Sequence, residues 1–155
     1  MDAGLLSKLL VSLFPAISIA GTGINADQTR LDAIASNVAN ANDTVAANQR
    51  AYQPQEVVVA AQPPAVPLSG APNSTGAEIG SGVAVTGVTT YSANGQLTYD
   101  PTNPLANAQG NVRQTGVYLG HELATMVEAQ TSYQANVSVI NHAKSAYMAA
   151  MQIGA

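Results

Sequence analysis

The glycine pair at positions 21 and 23 is the first place where residue type and spacing could support chemistry. Gly21-Thr22-Gly23-Ile24-Asn25-Ala26 fits the loose dinucleotide pattern G-x-G-x-x-A, in which glycines bring the backbone close to a pyrophosphate. That pattern needs a strand before it, a parallel strand after the helix and an acidic residue about twenty positions later. Asp43 has the distance, but it lies in an Asn/Ala run, and no second βαβ unit follows. The pair is therefore predicted to hinge one helical segment against the next.

The second candidate is His121-Glu122, which begins like the zinc-protease motif. The second histidine that this motif requires one turn later is replaced by Thr125. His142 lies on the same segment at a distance of about 30 Å if that segment is helical. The carboxylates stand singly along the sequence, so they suggest no paired acid and base. We predict no catalytic residue, no metal ligand and no cofactor-binding residue.

Composition points away from catalysis and from nucleic acid. Of the 155 residues, 9% are charged, with five Lys or Arg against nine Asp or Glu. Five basic residues cannot form the electrostatic footprint of a nucleic-acid-binding protein. There are 28 alanines, one Phe, no Trp and no Cys. Because alanine favours helices but buries little area, the composition predicts long helices that approach each other closely rather than one thick core.

Glycine and proline divide the chain into three segments. Neither residue occurs from Ile24 to Gln53 or from His121 to Ile153, which predicts an uninterrupted helix in each range. The predicted division is an N-terminal helical segment at 1–53, a Pro/Gly-rich linker and β-hairpin region at 54–116, and a C-terminal helix at 117–155. The predicted fold class is mainly α, with the long terminal helices packing as a coiled-coil-like pair around a small β-hairpin or extended middle.

Each predicted helix carries one narrow apolar stripe. Counting by sevens from Leu10 gives the first stripe, and steps of four and three from Leu119 give the second, in which eight of ten positions are apolar. The first stripe comprises Leu10, Ile17, Ile24, Leu31, Val38 and Val45; the second comprises Leu119, Leu123, Met126, Gln130, Tyr133, Val137, Ile140, Lys144, Tyr147 and Met151. A simple helical hairpin inside one small domain would also produce these stripes.

The middle segment has two characters. Gln62 to Gly76 is rich in proline and lacks an apolar period, which is typical of an extended linker. Val83 to Tyr91 and Gln96 to Tyr99 are strand-like and are separated by the turn residues Asn94-Gly95, which predicts a β-hairpin between them.

The N-terminus allows two interpretations. Leu5 to Ala20 is apolar and ends in small residues, as a cleaved signal peptide would. Against that, Asp2 is acidic, Lys8 lies inside the run and Pro15 interrupts it. An amphipathic helix is the preferred interpretation, and the run is too short to span a membrane.

Both ends of the chain resemble a known family. Gln28 to Thr44, with Asn37-Val38-Ala39-Asn40 and then Thr44, is similar to the N-terminal signature of bacterial flagellar rod and hook proteins. Met126 to Val137, followed by Asn141 and Ala143-Lys144-Ser145, resembles the C-terminal helix of the short proximal-rod members of the flagellar basal-body rod family. Tyr99-Asp100-Pro101 with Asn103-Pro104 and Gly110 is similar to the central segment of those members.

The resemblance implies a structural subunit of the proximal rod. It implies that the terminal helices pack into the wall of a helical tube, and that the chain is exported unfolded by the flagellar type III apparatus without a cleaved signal. Its partners would be copies of itself, other rod proteins and that export apparatus, with no nucleic acid and no small-molecule substrate. Its location would be the basal-body rod. The predicted subunit-interface residues are Ile24, Leu31, Ile34, Asn37, Val38, Asn40, Thr44, Leu123, Met126, Tyr133, Asn136, Val137, Ile140, Tyr147 and Met151.

Two other functions remain open from the residues. The stripes would also suit a free-standing coiled-coil interaction protein, and Gly21 to Ala26 leaves a nucleotide-binding enzyme as a distant third. A neighbouring rod subunit is the alternative within the family. The scarcity of charge favours a packed assembly, because each ion buried between subunits must be paired or desolvated.

Overall fold

The computed structural model describes residues 3–63, 80–90 and 94–153, with the backbone alone for residues 3–13 and 153. Helix α1 (Ala3–Ala39) is followed by strands β1 (Thr44–Ala46), β2 (Gln55–Ala61), β3 (Val83–Thr90), β4 (Gln96–Tyr99) and β5 (Asn111–Gln114), and then by helix α2 (Leu119–Ile153). The prediction of two long terminal helices around a small β middle is confirmed. Most of the predicted linker lies outside the described residues.

Helix α1 differs from the prediction at two places. It runs unbroken through Gly21 and Gly23, so the predicted hinge is wrong. The predicted continuation to Gln53 is also wrong, because the helix ends at Ala39. Asn40, Asn42 and Asp43 follow, and such residues compete for backbone hydrogen bonds and favour turns. The side-chain nitrogen of Asn40 donates to the Ser36 carbonyl at 2.8 Å and so closes the last turn of the helix.

Helix α2 agrees closely with its predicted range. It begins after Tyr118, whose carbonyl accepts hydrogen bonds from the backbone N–H groups of His121 and Glu122. Its 35 residues contain no proline, and the first turn carries the acidic Glu122. A negative charge there is favoured by the positive end of the helix dipole. Over the residues searched, neither helix combines the length and apolar character that crossing a membrane requires.

The predicted hairpin strands are present, but their predicted pairing is wrong. β3 pairs with β2, whereas β4 belongs to an antiparallel three-stranded sheet of order β1-β5-β4. In that sheet Val112 of β5 lies between Ala46 of β1 and Thr98 of β4, and it is fully buried. The sequence prediction missed β1, β2 and β5, so it gave β3 and β4 only each other as partners.

The loop between β4 and β5 shows why β4 pairs forward in the chain. The backbone N–H of Asp100 donates to the Gly110 carbonyl at 2.8 Å, which closes the loop. Gly110 has φ of 76°, a conformation that glycine adopts without strain. Asn107 accepts hydrogen bonds from the N–H groups of Gln109 and Asn111. These bonds order the loop and set the register of the two strands that it joins.

The chain forms two compact units. The first contains α1 to Gln28, the adjoining ends of β2 and β3, and α2 from Gln130; the second contains Thr29–Val58 and Gly87–Ala129. In the first unit the buried apolar residues are Ala20, Ala26 and Ala143. The second buries Ala33, Ile34, Ala51, Val57, Val112 and Ala129. Both cores are built mainly from small side chains, as the alanine content predicts.

Candidate functional site

The predicted interface residues fall into three exposure classes. Ile34 and Asn37 are buried, with exposed fractions of 3% and 1%. Leu123 and Met151 are exposed, with fractions of 48% and 56%. The others are half-buried within the single chain: Ile24, Leu31, Val38, Asn40, Thr44, Met126, Tyr133, Asn136, Val137, Ile140 and Tyr147. Thr44 lies on β1 rather than on a helix, because α1 ends before it.

Asn37 ties the end of α1 to the start of β2. Its side-chain nitrogen donates to the Gln55 carbonyl at 2.9 Å, and its side-chain oxygen accepts from the Gln55 N–H at 2.8 Å. The Tyr52 hydroxyl also donates to that oxygen at 3.0 Å. The Asn37 amide thus bonds both backbone groups of Gln55, as a neighbouring strand would. A buried amide with this many partners fixes the position of the chain around it.

A second asparagine joins the two helices in the first unit. The side-chain nitrogen of Asn136 on α2 donates to a carboxylate oxygen of Asp27 on α1 at 3.2 Å. Asp27 is 6% exposed. A Cβ atom placed on Gly23, one turn before Asp27, would lie 2.6 Å from the same Asn136 nitrogen. Gly23 therefore provides the room that Asn136 occupies beside α1.

Thr22 attaches the first residue of β3 to α1. Its hydroxyl donates to the Ile19 carbonyl at 2.7 Å and accepts from the Val83 N–H at 3.1 Å. Gly82 precedes Val83 with φ of 97°, and a side chain there would collide with Thr22. The segment that resembled a dinucleotide loop lies inside α1, where it serves packing and strand attachment.

Helix α2 exposes large apolar side chains near its start. Tyr118 precedes the helix and is 76% exposed, and Leu119, Leu123 and Val127 follow at intervals of four residues or fewer with fractions of 45%, 48% and 63%. Residues four apart lie on one face of a helix. Exposed apolar side chains grouped in this way are typical of protein contact surfaces.

The histidines lie at the surface, as expected, whereas three carboxylates lie closer together than the sequence suggested. His121 and His142 are exposed, and among the described residues no group of three or more His, Asp or Glu side chains is placed to hold a metal ion. The carboxylates that stand alone in sequence are partly brought together, because Glu56, Glu122 and Glu128 line one cleft of the second unit. Sequence spacing gave no signal for this grouping. Glu56 lies on β2, and residues six apart on a helix do not share a face.

Comparisons with known proteins cover both helices and nearly the whole chain. Residues 17–53 match the family described as flagella basal body rod protein, and residues 108–153 match the C-terminal family of flagellar basal body rod FlgEFG proteins. The chain is 36% identical over 146 residues to flagellar basal-body rod protein FlgC of Yersinia enterocolitica, with 93% of this chain and 99% of that protein covered. It is 34% identical to the protein of the same name from Salmonella typhimurium and 31% identical to that of Bacillus subtilis, each with 93% of this chain and 99% of the relative covered.

Proposed function

Because this chain belongs to the flagellar basal-body rod protein family and is a structural subunit of that rod, we propose that it builds the proximal part of the rod through its terminal helices. In this proposal α1 and α2 pack beside each other and beside the helices of neighbouring subunits. Together they form the wall of a helical tube.

The exposed apolar residues of α2 carry this proposal. Leu119, Leu123 and Val127 lie within the segment 108–153 that matches the rod family, and 45–63% of each side chain's surface is exposed in the single chain. Burying one large apolar side chain is worth about 1.5 to 3 kcal/mol. A surface of three such side chains would therefore supply cohesion between subunits, and it lies within the segment that matches the C-terminal rod family.

The contact of Asn136 with Asp27 and Gly23 supports a close helix pair. Small residues allow helices to approach closely, and a polar contact at one position sets their register. We propose that the half-buried stripe residues from Ile24 to Val38 and from Met126 to Tyr147 complete a coiled-coil-like packing in the assembled rod. In this proposal the segments 1–53 and 117–155 make the contacts between subunits. The segment 54–116 forms the linker and β-strand region between them.

The remaining parts of the proposal concern partners and location. The chain would contact copies of itself and other rod proteins, and it would reach the rod by type III export without a cleaved signal. Its role would be structural and not enzymatic, with no nucleic acid and no small-molecule substrate.

A charge on the exposed stripe tests the proposal. Leu123 is half-exposed in the single chain, so Leu123→Asp should leave folding and secretion intact. In the rod the same change would place an unpaired carboxylate in an apolar contact. We expect at least about a tenfold loss of incorporation into purified basal bodies and a loss of swimming. Ala124→Asp, at the neighbouring exposed position, is the matched control and should assemble. Normal swimming by cells carrying Leu123→Asp would show that this stripe is not an assembly contact.

A further inference from the structure

Charged side chains are scarce in this chain, yet several of them surround one cleft of the second unit. The whole sequence has five basic and nine acidic residues. Arg30, Glu56, Glu122 and Glu128 line this cleft of about 290 Å³, together with His121. We call it the acidic cleft. A chain that otherwise avoids charge has concentrated it here, which a merely solvated surface does not require.

Glu122 is the least exposed of the charged residues that line the acidic cleft. It is 7% exposed, and its carboxylate makes no hydrogen bond or ion pair with any other described residue. No described side-chain nitrogen or oxygen is sealed from solvent without a hydrogen bond, so the Glu122 oxygens open into the cleft. The dipole of α2 favours this charge. A basic group placed over the cleft would shield this carboxylate from water and pair with it at the same time, so a cationic partner would complete the site.

The charge of the cleft defines the chemistry of the occupant. Three glutamates against one arginine leave a formal charge of −2 with His121 neutral. Among the described residues, no group of three or more His, Asp or Glu side chains is placed to hold a metal ion. An organic cation fits instead, because a guanidinium or ammonium group can donate several hydrogen bonds to carboxylates.

We propose that the acidic cleft receives a basic side chain from a second copy of this chain. This inference rests on the proposed function, since a rod places copies of one subunit side by side. Among the basic side chains that the structure describes, Arg30 lines the cleft itself, and Arg113 is engaged with the carbonyls of Ala47 and Asn94. Arg50 and Lys144 are exposed and make no hydrogen bond or ion pair with described residues. Among the described side chains, Arg50 and Lys144 are therefore the two candidate donors.

Such a contact would contribute more to the specificity of the subunit contact than to its affinity. Apolar stripes attract any apolar stripe, and charge pairing rejects wrong registers because like charges would then meet or a carboxylate would stay buried alone. The cleft therefore orients a neighbour that the apolar stripe of α2 attracts.

The test is charge removal and charge exchange in full-length protein, expressed in cells that lack their own copy. Incorporation into purified basal bodies is measured relative to the secreted amount. Glu122→Gln keeps the size of the side chain and should reduce incorporation severalfold. Glu122→Lys should reduce it at least about tenfold. Asp32→Lys, the same reversal at an exposed carboxylate outside the cleft, should behave like the unchanged chain.

Charge exchange identifies the donor. Incorporation of Glu122→Lys should be restored by Arg50→Glu or by Lys144→Glu in the same chain, because each copy then presents an acid to the reversed cleft. Failure of both double variants, or unchanged incorporation of Glu122→Gln, would overturn the proposal. If Glu122→Lys is not secreted, Glu122→Gln alone decides. The unchanged chain and Asp32→Lys assemble in every one of these outcomes if the chain is a rod subunit, so failure of the cleft proposal is distinct from failure of that function.

Discussion

The segment 94–118 and helix α2 adjoin each other in the chain and both expose large apolar side chains, but their polar side chains find partners in different places. In the segment, the Arg113 guanidinium donates to two backbone carbonyls, and Thr115 donates to the Ala41 carbonyl. Val112 is fully buried there. On α2, the hydroxyls of Thr125 and Ser138 turn back to carbonyls of their own helix, while large apolar side chains stay exposed.

This difference separates a segment whose polar side chains complete their bonding on distant parts of the same chain from a helix whose hydroxyls bond only to the helix itself. Side chains of the sheet and its loops find partners on the backbone of the same chain, so their geometry does not depend on assembly. In α2 the backbone N–H and C=O groups bond to each other within the helix. Its exposed apolar side chains can therefore pack against other surfaces. Asn37 and Asn136 show the same contrast, since the first holds a strand and the second holds another helix.

The largest effect is expected from Asn37→Ala, which tests the self-completing part. The change leaves the N–H and C=O of Gln55 without their present partner in a part-buried setting, while the Tyr52 hydroxyl keeps its bond with the Ser36 hydroxyl at 3.1 Å. Each unsatisfied buried group costs about 1 to 3 kcal/mol, so we expect the free energy of unfolding to fall by roughly 2 to 4 kcal/mol. Urea unfolding followed by far-UV circular dichroism measures it.

Asn40→Ala is the matched control for that experiment. Asn40 is half-buried and its side chain donates only to the Ser36 carbonyl of its own helix, so its loss should cost about 1 kcal/mol or less. Equal destabilisation by the two changes would mean that Asn37 holds β2 no more firmly than a local turn contact does.

A smaller effect is expected from the glycines of α1. A Cβ on Gly21 meets nothing within 4 Å, so Gly21→Ala should stabilise the chain by about 0.5 to 1 kcal/mol through helix propensity. Gly23→Ala should lose that gain, because its Cβ would displace the Asn136 amide from Asp27. Thermal unfolding of both variants measures the difference.

The same pair of changes in an Asn136→Ala background isolates the cause. With the amide removed, Gly23→Ala should stabilise the chain as much as Gly21→Ala does, because only the clash distinguished them. If Gly23→Ala remains unfavourable there, the helix contact at Asn136 does not explain the glycine.

The sequence predicted the helices well and the strand pairing poorly. Helix propensity and apolar spacing are local, so α2 was found to within two residues of its start. Strand pairing depends on residues far apart: β1 pairs with β5, where Thr44 lies opposite Gln114. The run Gln55 to Ala61 contains three successive valines, a signal for β2 that could have been used. The end of α1 was missed because asparagine was counted as a helix residue rather than as a turn former.

Prediction of the site was limited in the same way. The family resemblance identified Asn37 and Asn136, but not their partners, because Gln55 and Asp27 are distant in sequence. The cleft around Glu122 was missed entirely, since it forms only when β2 is placed beside the start of α2. Features that depend on one helix or strand can be predicted from the sequence, whereas sites formed by side chains from several elements cannot.

The smallest expected effect concerns Asp100, in the loop that the sequence resemblance also singled out. The Thr102 hydroxyl donates to its carboxylate at 2.8 Å and Asn103 donates to it at 3.4 Å, and these bonds hold the pKa of Asp100 below its ordinary value of 3.8. A lowered pKa means that the bonds favour the folded loop above the unfolded value, and that this contribution is lost as the pH falls through the folded pKa. Thr102→Val should therefore move the titration midpoint of Asp100, followed by carboxyl NMR shifts, upward toward 3.8.

Thr98→Val is the control, because Thr98 bonds Gln114 and not Asp100. Since the loop completes itself within the chain, the midpoint should be the same in dilute and concentrated protein; a midpoint that depends on protein concentration would show that this loop, like α2, takes its order from neighbours.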